Sequence, residues 1–123
     1  MRTEKEFITI LERICSEDKR YKIDAYYFIL ASLSHILGKL NRQGHISGRE
    51  LLEGIKDYAI KLYGRMARSV FEHWGVSYTE DFGNIVFNMV ESKLLGKTDT
   101  DKIEDFKQVY DFKTVFEDDY RYE

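Results

Sequence analysis

Two short fragments match pieces of phosphate-binding motifs. DFG at residues 81–83 matches the triplet whose aspartate binds magnesium in protein kinases, and GKT at residues 96–98 matches the end of a P-loop. The kinase triplet requires a glycine-rich loop, a strand lysine and a catalytic loop, none of which the sequence contains. The P-loop requires a glycine at the position where this chain has Glu91. We therefore interpret both fragments as helix ends, with Asp81 favoured by the helix dipole in a first turn.

Histidines and acidic residues are the next candidates for chemistry. His35, His45 and His73 show no metal-ligand spacing, although His45 and His73 make the better pair if their loops converge. His35 lies in an apolar helix and is interpreted as a core or boundary residue. The acidic run at residues 99–105 lacks the glycine of a calcium loop and has Tyr110 where the loop's glutamate belongs. The sequence predicts no metal, cofactor or catalytic set, and a small enzyme with a His-containing pocket is kept as an alternative.

Cysteine usage and hydropathy indicate the compartment. Cys15 is the only cysteine, which excludes an intrachain disulfide and a multi-thiolate zinc site, and its place on an apolar helix side indicates packing. A reducing cytoplasm fits this usage best. No stretch approaches the roughly 20 apolar residues of a membrane span, and residues 1–20 lack a continuous apolar segment. We therefore expect neither a membrane partner nor an export signal.

Charge is divided unevenly along a chain whose formal net charge is −3. Residues 1–75 hold 13 Lys and Arg against 10 Asp and Glu, whereas residues 76–123 hold 6 against 12. Because nucleic-acid affinity depends on a basic surface that displaces counterions, nucleic acid is the less favoured partner. A nucleic-acid binder remains an alternative, with these residues of the first half as phosphate contacts: Lys19, Arg20, Lys39, Arg42, Arg49, Arg65 and Arg68.

Apolar spacing predicts a mainly α-helical (α+β) fold with about five helices in a single domain over residues 1–123. The patterns T-x-x-E at residues 3–6 and S-x-x-E at residues 47–50 are typical of capped helix starts. Ser77 or Thr79 is expected to cap a later helix.

The stretch from Ile23 to Leu40 is apolar almost throughout, so we expect it to be the central helix, buried on most sides. Gly64 and Gly75 are expected to interrupt helices.

Residues 94–116 leave two structures open. Two short apolar stretches separated by a charged turn predict a short two-stranded, wing-like β-ribbon. Alternatively, Asp111 caps a last helix over residues 112–120.

The order of these elements resembles a winged helix-turn-helix module, with residues 79–93 as the recognition helix and residues 97–105 as the wing. That helix carries three acidic residues against Lys93 alone, and the wing carries four against two lysines. Because DNA phosphates would repel both, the resemblance implies a module that binds protein.

Three segments also resemble a family of bacterial conserved hypothetical proteins with no assigned activity. They are DKRYKIDAYYF at residues 18–28, HISGRELLEGIKDYA at residues 45–59, and the stretch from HWGVSY to QVYDF at residues 73–112. The resemblance extends from Asp18 to about Phe116. It implies a self-contained bacterial domain and no mechanism.

Aromatic side chains provide the candidate interaction surface. Because Tyr26, Tyr27 and Phe28 point in directions about 100° apart, they cannot all enter one core, and one should face a groove or a partner. Core packing is the competing interpretation of the aromatic cluster. We predict a small non-enzymatic module for protein interaction or self-association, with a homo-oligomer among the options. Its candidate surface residues are Tyr21, Tyr26, Tyr27, His45, His73 and Trp74.

Overall fold

Five α-helices account for most of the protein in a computed structural model, which describes residues 3–40, 46–95 and 103–118. The prediction of a mainly helical fold with about five helices is confirmed. In chain order the helices are α1 (Glu4–Glu17), α2 (Ile23–Leu40), α3 (Gly48–Tyr63), α4 (Ala67–His73) and α5 (Thr79–Glu91). The 3-10 turn Gly64–Met66 joins α3 to α4. Two more short turns follow α5, a 3-10 turn, Ile103–Phe106, and a π-helical turn, Thr114–Asp118.

Side-chain caps begin α1 and α3 where the sequence predicts them. At the start of α1, the backbone N–H of Glu6 donates to Thr3 Oγ1 at 3.1 Å. At the start of α3, Ser47 and Glu50 form a reciprocal capping box, with both hydrogen bonds at 3.1 Å. Each cap satisfies backbone donors that have no partner within the helix.

The start of α5 is organised differently from the prediction. Asp81, not Ser77 or Thr79, supplies the capping side chain, because its Oδ2 accepts from the backbone N–H groups of Ser77 and Tyr78 at 2.9 and 3.0 Å. The Thr79 hydroxyl instead donates to the carbonyl of Phe106 at 2.5 Å. The aspartate of the DFG fragment therefore lies in a first helical turn, as predicted, and caps a helix.

The C-terminal region is helical where the structure describes it. No strand occurs in the described residues, so the predicted β-ribbon is not supported, and residues 96–102 fall outside the described ranges. The backbone N–H of Thr114 donates to Asp111 Oδ2 at 3.0 Å, as in the alternative prediction of a helix capped at Asp111. Phe112 and Phe116, one helical turn apart, are both buried. The cap and this burial together favour a helical turn over a strand.

Phe71 of α4 lies fully buried at the centre of an aromatic core. Its ring centroid lies 5.2–5.8 Å from five other rings, in edge-to-face or tilted arrangements that such pairs prefer. These five partners come from α2, the end of α4, α5 and the C-terminal region: Phe28, Trp74, Phe82, Phe112 and Phe116. One side chain therefore joins elements that are distant in sequence.

The prediction that α2 is buried on most of its sides is confirmed, although α2 is not the most enclosed helix. The most enclosed helix is α5, in which Glu91 alone is exposed. Although α2 contacts α1, α3 and α5, no described element covers its remaining side. Among the apolar side chains of α2, Tyr27 and Ala31 are therefore left exposed. No described helix has the length and apolar character needed to cross a membrane.

Gly75 lets the turn between α4 and α5 approach the residues that precede α2. Its φ of +90° lies in the left-handed region, and a Cβ at this position would collide with the carbonyl oxygen of Arg20. In the same region, the backbone N–H of Lys22 donates to the carbonyl of Trp74 at 3.1 Å. The prediction that Gly75 ends a helix is confirmed, and the glycine also makes room for a second chain segment.

Replacing Gly75 with alanine should lower the free energy of unfolding by more than about 1 kcal/mol, because both the φ angle and the carbonyl of Arg20 oppose a Cβ. The matched control is Gly38→Ala, which adds a Cβ to a helical residue with no atom within 4 Å of that position. The control should raise stability by about 0.5–1 kcal/mol. Urea unfolding in dilute solution measures both, and equal effects would contradict the assignment.

Candidate functional site

The described residues of the predicted interaction surface do not form one surface. Tyr21, Tyr26 and Trp74 are core residues, with exposed fractions of 3%, 0% and 8%. Tyr27 is 41% exposed, and His73 is exposed at the end of α4. The structure therefore selects Tyr27 as the outward-pointing member of the aromatic run in α2.

The Tyr21 hydroxyl connects the turn before α2 to α5. It donates to Asp81 Oδ1 at 2.6 Å and accepts from Asn84 Nδ2 at 3.0 Å. Burial, followed by the hydrogen bond to Asp81, raises the pKa of Tyr21 well above its usual range. The hydroxyl therefore keeps its proton and remains a donor at neutral pH.

Asn88 makes the corresponding contacts one turn further along α5. Its Nδ2 donates to the Tyr26 hydroxyl at 3.0 Å and to Asp18 Oδ2 at 2.9 Å. Arg20 holds the same carboxylate with two hydrogen bonds, of 2.9 Å to Oδ1 and 2.8 Å to Oδ2. These charge-assisted bonds from Arg20, with the amide of Asn88, hold the pKa of Asp18 well below its usual range.

These contacts determine how α2 is rotated about its own axis. We call the residues of α5 that make them the α5 polar stripe. The stripe consists of Asp81, Asn84 and Asn88, spaced three and four residues apart on one helix face. Because it holds Tyr26 inside the molecule, Tyr27 lies about 100° further round the helix and points outward.

Four exposed residues at spacings of four, three and four form what we call the outer face of α2: Tyr27, Ala31, Ser34 and Gly38. This spacing keeps them in one narrow stripe of the helix. None of the four carries a charge, and the exposed Asp24, three residues before Tyr27, continues the stripe at its N-terminal end. On α3, by contrast, four exposed residues spaced four apart are all charged: Arg49, Glu53, Asp57 and Lys61.

Nothing in the described chain requires a glycine at position 38. A glycine inside a helix costs roughly 0.5–1 kcal/mol relative to alanine. Apart from the adjacent residues and backbone of the helix itself, no described atom lies within 4 Å of the position that a Cβ would occupy, and φ is not positive here. The described part of the monomer would therefore accommodate a larger residue at this position.

The basic residues of the nucleic-acid alternative are spread over the described surface. Arg20 pairs with Asp18 before α2, and Lys39 lies 3.9 Å from Asp57 at the far end of a helix about 27 Å long. Arg68 pairs with Glu117 at 3.2 Å. Three others are exposed and the fourth lies outside the described residues: Lys19, Arg49 and Arg65, and Arg42.

A cleft of about 320 Å³ lies between the C-terminal half of α2 and the N-terminal half of α3. His35 borders it and stacks on Tyr58, with ring centroids 4.8 Å apart, so its prediction as a boundary residue is confirmed. Charges of both signs surround the apolar surface of Ile36 and Gly54: Lys39, Arg49, Glu50, Glu53 and Asp57.

Candidate metal and nucleophile residues show no assembled site in the part of the chain that is described. No three or more His, Cys, Asp or Glu residues come together there. His45, the GKT fragment and most of the acidic run fall outside those ranges. Cys15 is partly buried, and burial raises the pKa of its thiol, in keeping with its interpretation as a packing residue.

No family model, curated protein or solved structure matches the chain. The resemblances to a bacterial hypothetical family and to winged modules therefore stay predictions.

Sequence reasoning includes Tyr27 in the candidate surface but omits Ala31, Ser34 and Gly38. The available signal is the complete lack of charge in residues 25–34, which extends around the whole helix. Such a pattern predicts burial, but it does not distinguish burial in the chain's own core from burial against a partner.

The paired carboxylate of Asp18 should make stability sensitive to acid. Because the pKa of Asp18 is lower in the folded state than the usual 3.8, its contribution is complete above that pH and is lost as pH falls below it. We therefore expect Asp18→Asn to flatten the loss of stability below about pH 4.

Thermal unfolding at a series of pH values measures this effect. Glu17→Gln is the matched control, because Glu17 is an exposed neighbour whose carboxylate lies 4.0 Å from Arg13. Wild-type acid sensitivity in Asp18→Asn would show that other groups dominate the acid response.

Proposed function

We propose that the protein is an interaction module that binds another protein, or a second copy of itself, through the outer face of α2. The observation that carries this proposal is an uncharged and exposed face on a helix whose composition predicts burial on most sides. A helix that is apolar all round is normally covered on all sides. A partner would provide the cover that the described chain does not.

The contrast with the other long helices supports this assignment. The chain is 33% charged, and the exposed side of α1 carries acidic and basic residues, as that of α3 does. The outer face of α2 therefore carries less charge than the exposed sides of α1 and α3. Depletion of charge is the feature that distinguishes the core of a protein interface from the remaining surface.

Tyr27 is the expected anchor of the interaction. Tyrosine is enriched among the residues that dominate binding energy, because it combines a large apolar area with a polar tip. Its neighbours along the face, Ala31 and Ser34, have small side chains. A partner could therefore approach the backbone of α2 closely beside the tyrosine ring.

Photo-crosslinking in cells of the native host tests the proposal. With p-benzoylphenylalanine in place of Tyr27, irradiation should yield an adduct of defined mass. The same residue in place of Ser69, which is exposed on α4, should yield much less. Adding Ala31→Glu should reduce the Tyr27 adduct by more than about tenfold, because it buries an unpaired charge in the interface.

Equal adduct yields at both positions, or an adduct that is unaffected by Ala31→Glu, would contradict the assignment to this face. Circular dichroism of Ala31→Glu provides the folding control, because residue 31 is exposed and glutamate is a good helix former.

A further inference from the structure

The spacing between the residues of the outer face of α2 is the same when counted from either end. The intervals between its residues are four, three and four, so the stripe is symmetric about a point between residues 32 and 33. A twofold axis through that point, perpendicular to the helix, would place residue 27 opposite residue 38 of a second copy. It would likewise place residue 31 opposite residue 34. Such pairing is the rule for an isologous interface.

The side chains that this symmetry brings together are complementary in size. Tyr27, the largest residue of the face, would lie opposite Gly38 of the second copy. Gly38 has open space where a Cβ would be. Ala31 would lie opposite Ser34, and both are small enough for the helix backbones to approach closely. The glycine that the described monomer does not require would then provide the space for a tyrosine ring.

Charge at the two ends of the face fits the same arrangement. Asp24 at the start of α2 and Lys39 at its end are exposed, and both lie on the side facing α3. Burial, then Tyr58 and then Asp24 raise the pKa of Tyr63 on α3, which places Asp24 near that helix. Lys39 lies 3.9 Å from Asp57, which is also on α3. A twofold axis perpendicular to antiparallel helices keeps that side common to both copies. Measured along the helix axis, the positions of Asp24 and of Lys39 in the second copy would then differ by about 3 Å.

We propose that the occupant of the outer face is a second copy of this chain, packed through antiparallel α2 helices with Tyr27 of each copy over Gly38 of the other. This inference rests on the proposed function and names its partner. The contact is short, about 17 Å from residue 27 to residue 38. Interfaces of this small size are typical of reversible association, so monomer and dimer should exchange.

Gly38→Leu separates dimer packing from monomer folding. Leucine favours helix formation, and the described part of the monomer leaves the Cβ position open, so the thermal stability of dilute protein should not fall. In the dimer, leucine would collide with Tyr27 at two symmetric positions. Sedimentation equilibrium over a wide range of concentration should therefore show dimerisation weakened by more than about tenfold.

Charge reversal tests the register. Asp24→Lys and Lys39→Glu, each alone, should weaken the dimer because like charges then face each other at both ends. An equimolar mixture of the two variants should associate more strongly than either alone, because every cross-copy pair is then of opposite charge. A parallel arrangement would not show the loss in either single variant, because Asp24 would already face Asp24 and Lys39 would face Lys39 in the wild type, and reversing either charge leaves a like pair.

Two outcomes would overturn the dimer: a wild-type chain that is monomeric at every concentration, or a Gly38→Leu variant that dimerises like the wild type. The mass of the Tyr27 photo-adduct separates this failure from failure of the proposed function. Twice the chain mass supports the dimer. A different defined mass rejects the dimer and leaves a heterologous partner on this face, and no adduct at Tyr27 rejects both.

Discussion

The arrangement of this fold depends on hydrogen bonds between α5 and the residues around the start of α2. Asp81, Asn84 and Asn88 bind Tyr21, Tyr26 and Asp18 across the interior, at distances of 2.6–3.0 Å. A polar group that is partly or fully withdrawn from water is costly unless it is paired, so a rotation of α2 that broke these bonds would be penalised. Apolar contacts alone would specify the rotation of α2 less strictly, because this helix is apolar on most sides.

The position of the outer face follows from that constraint. Once Tyr26 is held by Asn88, Phe28 enters the aromatic core around Phe71 and Tyr27 is left outside. Gly75 contributes by letting the turn before α5 lie against the segment that precedes α2. The polar network and the close backbone contact are therefore the structural basis of the proposed binding surface, although neither forms part of it.

Local features of the fold could be predicted from sequence, because their causes lie within a few residues. The caps at Thr3 and Ser47 and the helix stop at Gly75 are of this kind. The C-terminal region was harder, since short apolar stretches suit a strand or a helical turn equally well and the choice depends on packing against Phe71. That α5 is more enclosed than α2 also depends on packing between distant elements. The polar stripe joins residues 60 to 70 positions apart, which periodicity does not detect.

The candidate site was predictable only in part. That one of three adjacent aromatic residues points outward follows from helix geometry, but which one does so depends on the long-range bond to Asn88. The most direct test of the central claim is a dilution series of amide NMR spectra. We predict concentration-dependent shifts concentrated in residues 24–39 of α2, with the amides of α4 and α5 unchanged. Shifts centred on another surface, such as the exposed Leu62 and Met66, would contradict the claim.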